Sequence, residues 1–151
     1  MAPKDERQPA RLRAHDLDDL SVIGALVQDS LVPAQDIQYL PDEKCFVLAL
    51  NRFRWETAEA GPPFERVHAG LRFDRVEQVR YRGIDRSDDQ QFYDLLAVAY
   101  DRPDGAADGA GHVLLQFADA AAIRLTVSGL DCWLQDFGDP WPSPNRPDHK
   151  D

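Results

Sequence analysis

Arginines alternate with aromatic residues in two short stretches, and these stretches carry the clearest chemical signal in the sequence. They lie at residues 51–56 (NRFRWE) and 80–86 (RYRGIDR). A guanidinium group donates two parallel hydrogen bonds, which suits the recognition of carboxylates and phosphates. The candidate anion-binding residues are Arg52, Arg54, Trp55, Arg80, Arg82 and Asp85.

The pairing of the strands decides whether these arginines form one site. Arg52 and Arg54 share one face of their strand, and Arg80 and Arg82 share one face of theirs, because side chains alternate along a strand. If the two strands are neighbours, four guanidinium groups line one face. We then expect Arg54 to approach Arg82 beside Trp55, with a bond from one of them to a carboxylate of either stretch. The alternative is a solvated sheet surface on which the arginines pair with acidic residues.

The sequence contains none of the common catalytic motifs. It has no G-x-G-x-x-G, P-loop, H-E-x-x-H, G-x-S-x-G or C-x-x-C pattern, and we predict no cofactor and no metal site. The favoured function is therefore a non-enzymatic binding or accessory module, with an arginine–aromatic face for a small anion or a protein partner. The alternative is a small enzyme acting on an anionic metabolite, in which the arginines hold the anion and His68 or Asp85 is the acid–base group.

Charge and composition narrow the choice of partner. The 151 residues include 27 acidic and 17 basic side chains, which gives a net charge of −10, so binding to a nucleic-acid backbone is disfavoured. Residues 50–86 are an exception to this acidic balance, because they contain eight arginines and six acidic residues. No apolar run approaches the roughly 20 residues that a bilayer span needs, and the start lacks the apolar stretch of a secretory signal, so we predict a cytoplasmic protein without membrane contact. A symmetric homodimer through a sheet edge or an apolar patch is a further expectation.

The apolar pattern predicts one helix near the N-terminus. Asp16 is a good N-cap residue, and apolar residues at three- and four-residue spacing follow it as far as Leu31. Pro33 closes this segment, so we predict a helix from about Leu17 to Leu31. The pattern then changes to alternation with a period of two, which predicts about eight short strands joined mostly by hairpin-length connections.

The strand that carries the first arginine pair has an irregular pattern. Phe46, Leu48 and Leu50 share one parity, whereas Phe53 and Trp55 have the other. Either a bulge between these two groups turns the later pair onto the same face, or both faces of the strand are covered.

Together these elements predict an α+β domain. An N-terminal helix packs on a curled, mainly antiparallel sheet or a partly closed barrel of about eight strands. Residues 1–15 are predicted to be a disordered or frayed terminus, residues 16–138 a single domain, and residues 139–151 a proline-rich extended tail.

Several sequence blocks resemble a known family. The blocks lie at residues 51–56, 82–87, 122–125 and 140–144. They are similar to an uncharacterised bacterial family of about this length, the domain of unknown function DUF2948, over roughly residues 12–147. The resemblance implies a stand-alone bacterial cytoplasmic protein with no established activity, and it assigns no functional residue. The chain departs from the family at residues 119–121 (DAA), where a glycine-bearing hairpin turn is expected.

Overall fold

The described part of the chain is mostly β-structure with one short helix. A computed structural model describes residues 8–105 and 110–147. The helix α1 is Leu17–Val27, and the strands are β1 (Arg11–Ala14), β2 (Ser30–Pro33), β3 (Ile37–Leu40), β4 (Cys45–Phe53), β5 (Phe64–Phe73), β6 (Val76–Arg82), β7 (Phe92–Asp101), β8 (Gly111–Phe117), β9 (Ala122–Val127) and β10 (Cys132–Ser143).

The ten strands form one antiparallel sheet. Their order is β1-β10-β5-β4-β2-β7-β8-β9-β6, and β3 pairs with β4 beside this path. β1 and β6 are therefore the two edges of an open sheet. The predicted helix on an antiparallel sheet is confirmed, but the predicted curled sheet or partly closed barrel of about eight strands is wrong. β1 and β2 account for the difference in number, because they lie in segments for which the sequence predicts a frayed terminus and the end of the helix.

Both ends of the described chain add to the sheet. Leu12 of β1 pairs with Leu134 of β10, and β10 continues through residues 139–143, where Trp141 pairs with Arg66 and Ser143 with Phe64. Strand thus replaces parts of the predicted frayed terminus and extended tail. The remaining residues of those two predictions, 1–7 and 148–151, lie outside the described residues.

Helix α1 begins where the sequence predicts and ends earlier. The Asp16 carboxylate accepts a hydrogen bond from the Asp19 N–H at 2.8 Å, which caps the helix. The helix ends at Val27 because Asp29 adopts a φ of 61° and its N–H donates to the Leu95 carbonyl at 2.8 Å, which turns the chain into β2. Among the described residues, no helix is both long and apolar enough to span a bilayer.

Strand β4 is regular, with one buried face and one face that is half-buried at Val47, Ala49 and Asn51. It pairs with β5 without a register shift from Phe46 to Phe53, so the chain has no bulge there. Leu48 and Leu50 face the core, and Phe53 is also fully buried although it has the opposite parity. Arg52 consequently points to the same face of β4 as Leu48 and Leu50, so its side chain is buried rather than exposed to solvent.

The far half of the sheet positions the second arginine pair. Ile123 and Leu125 of β9 are fully buried, so Arg124 between them faces solvent. In the turn before β9, Asp119 and Ala120 both have positive φ, at 62° and 63°, and take the conformation for which glycine is expected. β6 lies beside β9 although two other strands separate them in the sequence.

Candidate functional site

The sheet order separates the two arginine pairs. Four strands, β2, β7, β8 and β9, lie between β4 and β6. The expectation that Arg54 approaches Arg82 across neighbouring strands is therefore wrong. We describe the two groups as the buried arginine cluster (Arg52, Arg54, Glu56, Glu65 and Asp136) and the exposed arginine face (Arg80, Arg82 and Arg124).

Arg52 uses all of its hydrogen-bond donors inside the protein. Its side chain is 0% exposed. Nε and Nη2 donate to the two carboxylate oxygens of Asp136 at 2.8 and 2.7 Å, and Nη1 and Nη2 donate to those of Glu56 at 2.9 and 2.6 Å. Nη1 also donates to the Phe53 carbonyl at 3.4 Å. Because arginine has five N–H donors, no donor is left for a ligand.

The register explains how Arg52 reaches a carboxylate two strands away. Leu50 of β4, Ala69 of β5 and Asp136 of β10 lie in one row across the sheet. Arg52 lies two residues after Leu50 on the same face of β4, so its side chain and that of Asp136 lie on one face of the sheet. Asp136 is also fixed from the N-terminal side, since its Oδ2 accepts the Ala10 N–H at 2.8 Å and its own N–H donates to the Ala10 carbonyl at 2.9 Å.

Arg54 and Trp55 are held at the end of β4, next to Arg52. Arg54 is 2% exposed, its Nη1 donates to Glu65 Oε1 at 2.6 Å, and its Nε lies 3.9 Å from Glu56 Oε2. The Trp55 indole N–H donates to the Gln28 carbonyl at 2.9 Å. These contacts join the end of β4 to β5 and to the segment after α1, so both side chains stabilise the fold.

The charges of the buried cluster support each other. Burial alone would lower the pKa of Arg52, but its hydrogen bonds to Asp136 and Glu56 outweigh burial and raise the pKa. Burial alone would raise the pKa of Glu56, but the hydrogen bonds from Arg52 lower it below the ordinary value of 4.5. Arg52 and Glu56 are therefore both charged at neutral pH.

The exposed arginine face has the opposite character. Arg80 of β6 lies directly opposite Arg124 of β9, and Leu114 of β8 continues the same row. All three arginine side chains of this face are exposed, and no carboxylate of the described residues forms an ion pair with any of them. The Arg82 Nε donates to the Ala120 carbonyl at 3.3 Å, which orients its guanidinium and leaves both terminal nitrogens available.

These arginines surround a shallow depression of about 340 Å³. Its lining residues are Arg80, Tyr81, Arg82, Leu114, Ala122 and Arg124. Like charges directly opposite each other on neighbouring strands are destabilising, so a row with Arg80 against Arg124 costs stability in the free protein. A carboxylate or phosphate placed between them would remove this repulsion and accept paired hydrogen bonds.

Arg124 is the residue that sequence reasoning missed. Its signal is the alternation in 122–127 (AIRLTV), which turns Ile123 and Leu125 inward and Arg124 outward. The signal becomes useful only when β9 is known to pair with β6, and hairpin rules do not predict that pairing because the two strands are distant in sequence.

Comparison with known proteins supports the resemblance noted above. Residues 10–149 match the family DUF2948, which is described as a protein of unknown function. The chain belongs to the DUF2948 family. No curated protein and no solved structure matches it.

Asp85 of this DUF2948 protein is an anchor of the turn after β6. Its Oδ1 accepts hydrogen bonds from the Ser87 N–H at 3.0 Å and the Ser87 hydroxyl at 2.6 Å, and its own N–H donates to the Tyr93 hydroxyl at 2.7 Å. The two bonds from Ser87 lower the pKa of Asp85, so its carboxylate remains ionised at neutral pH. This state stabilises the turn and does not suit a proton donor.

His68 of the DUF2948 protein lies on the outer side of β5. Its ring is stacked 5.7 Å from Phe137 and lies 4.5 Å from Trp141. Five strands lie between β5 and β6 in the sheet, so the histidine and the exposed arginine face are not neighbours. Within residues 8–105 and 110–147, no group of three His, Cys, Asp or Glu side chains is arranged to hold a metal ion.

Proposed function

We infer that this protein is a non-enzymatic binding module whose exposed arginine face captures an anionic group. The observation that carries the proposal is the contrast in partners. Arg52 and Arg54 each have a carboxylate within 2.9 Å, whereas Arg80, Arg82 and Arg124 have no carboxylate partner among the described residues. Three exposed guanidinium groups on two adjacent strands provide the donors that a carboxylate or phosphate requires.

The net charge of the chain defines the conditions of binding. At −10 the whole molecule repels anions at long range, so attraction acts only close to the arginine face. Beyond about one Debye length, roughly 8 Å at physiological ionic strength, the charges of the rest of the chain are screened. Binding therefore needs direct hydrogen bonds to the guanidinium groups, and added salt should weaken it.

A thermal-shift titration with inorganic phosphate, pyrophosphate and citrate tests this proposal. An anion that binds only the native state raises the melting temperature in proportion to the logarithm of its concentration. We expect such a rise for the wild type, and we expect Arg82→Ala and Arg124→Ala to abolish it while the ligand-free melting temperature stays nearly constant.

Arg72→Ala is the matched control. Arg72 is also an exposed strand arginine, but it donates to Asp74 at 2.9 and 2.8 Å and lies on β5. The control variant should keep the full anion-dependent rise. The proposal is overturned if no anion raises the melting temperature of the wild type, or if Arg82→Ala and Arg124→Ala respond to the anions like the wild type.

A further inference from the structure

Strand β6 has backbone groups that point away from the sheet. The N–H of Ser128, the residue after β9, donates to the Arg75 carbonyl at 3.0 Å. Backbone groups alternate in direction along a strand, so the even-numbered residues of β9 direct their N–H and C=O groups toward β6. Arg80, the register partner of an even-numbered residue, therefore turns its own N–H and C=O toward β9. Val79 and Tyr81, on either side of it, turn theirs outward, and no described strand pairs with β6 on that side.

The open part of this edge is short and has defined ends. At its start, the Val76 N–H donates to the Lys44 carbonyl at 2.9 Å and the Val76 carbonyl accepts the Tyr39 hydroxyl at 3.0 Å. At its other end, Gly83 has a φ of 69° and turns the chain away from the strand direction. The stretch from Val79 to Arg82 is thus the part of β6 that can accept another strand.

We propose that β6 binds an extended acidic segment of a partner protein by strand addition. The inference rests on the proposed function, because it uses the same exposed arginine face. Side chains two residues apart on an added strand share one face, so carboxylates at alternate positions would stand opposite Arg80 and Arg82. The residue between them would lie beside half-buried Tyr81, on the other face. The favoured segment is therefore acidic, apolar, acidic.

Charge selects this occupant over a second copy of the chain. A twofold-related copy of β6 would add antiparallel and place Arg80 and Arg82 close to the same two residues of its neighbour. Like charges across a strand pair are destabilising, and charged edge strands are a known protection against pairing between copies. An acidic strand has the complementary charge and can use the outward N–H and C=O groups of Val79 and Tyr81.

Fluorescence anisotropy with a labelled eight-residue peptide of alternating glutamate and valine tests the proposal. The peptide should bind the wild type. The double variant Arg80→Ala, Arg82→Ala should weaken binding by about tenfold or more, because each substitution removes a charge-assisted hydrogen bond to a peptide carboxylate. A peptide of the same composition with its glutamates clustered at one end should bind about tenfold more weakly, because it cannot present two carboxylates on one face.

A backbone-modified peptide separates strand addition from simple anion capture. Two peptides are methylated at alternate amides, one in each phase, and only the peptide whose methylated amides face β6 loses hydrogen bonds to it, with no change in peptide charge or in the protein. We expect methylation in the phase that faces β6 to weaken binding by about tenfold or more. Val79→Pro, which removes one outward N–H, should act in the same direction, and its melting temperature shows whether it folds.

The outcomes distinguish this inference from the proposed function. If phosphate or citrate binds through the arginines but both methylated peptides bind like the unmodified one, anion capture stands and strand addition is overturned. The same conclusion follows if those anions bind and the alternating peptide does not. If neither anions nor peptide bind, both proposals fail.

Discussion

The triplet of arginine, aromatic residue and arginine occurs at the ends of β4 and β6, in opposite surroundings. On β4 it is Arg52-Phe53-Arg54, and carboxylates of β10, β5 and the turn after β4 surround it. On β6 it is Arg80-Tyr81-Arg82, and the neighbouring strand supplies another arginine. The comparison teaches that the strand across the sheet, rather than the local sequence, decides whether an arginine stabilises the fold or is available for a ligand.

The largest expected effect is the loss of Arg52. Arg52→Ala leaves the carboxylate of Asp136 buried without its guanidinium partner, and breaking a buried ion pair on one side costs about 3–5 kcal/mol. A urea titration of the free energy of unfolding measures this loss. The control Arg72→Ala, at an exposed ion pair with Asp74, should cost about 1 kcal/mol or less.

Arg52→Lys sharpens this prediction. Lysine keeps the charge but has no planar fork, so it cannot donate to both carboxylates in the same geometry. Its free energy of unfolding should lie between those of the wild type and Arg52→Ala. A loss below about 1 kcal/mol for Arg52→Ala would show that the buried cluster does not stabilise the fold and would remove the contrast with β6.

An intermediate effect is expected from acid. The pKa of Glu56 is lowered in the folded protein, so its ionised form is favoured there. This stabilisation is complete above the ordinary pKa of 4.5 and is lost as the pH falls through the lower value of the folded state. Urea titrations should therefore show that Glu56→Gln is less stable than the wild type at neutral pH and that the difference shrinks below about pH 4.

Glu77→Gln is the control for this pH dependence. Glu77 forms an exposed ion pair with Lys44 at 3.3 Å, which should contribute little at any pH. If the difference in the free energy of unfolding between Glu56→Gln and the wild type stays constant across the acid range, the ionised form of Glu56 does not stabilise the buried arginine cluster.

The smallest effect on stability is expected at the exposed face. Arg124→Ala removes a positive charge that lies opposite Arg80, so the free energy of unfolding should stay within about 0.5 kcal/mol of the wild type or rise slightly. Any rise should disappear in about 1 M salt, where charges are screened within about 3 Å. If Arg124→Ala lowers the free energy of unfolding by more than about 1 kcal/mol, Arg124 has a structural role. The exposed arginine face would then stabilise the fold as the buried arginine cluster does.

The sequence predicts the local elements better than their partners. The Asp16 cap and the alternation in β5 are readable, because both are short-range patterns. β1 is missed because four residues, two of them exposed arginines, carry too little apolar pattern. The Arg52 environment is missed because its partner Asp136 is 84 residues away in the sequence. The change of parity between Leu50 and Phe53 instead favours a bulge interpretation.

The position of β10 has a consequence for the order in which the protein can fold during synthesis. The ribosome makes β10 after the other nine strands, yet β10 lies between β1 and β5 and joins them. A nascent chain that lacks β10 leaves β1 and the outer edge of β5 without a partner strand. The pairing of β1 with β10 must wait until β10 emerges. Such long-range closure slows folding and leaves the incomplete sheet open to wrong partners, so we expect the nascent chain to be most exposed to aggregation just before β10 emerges.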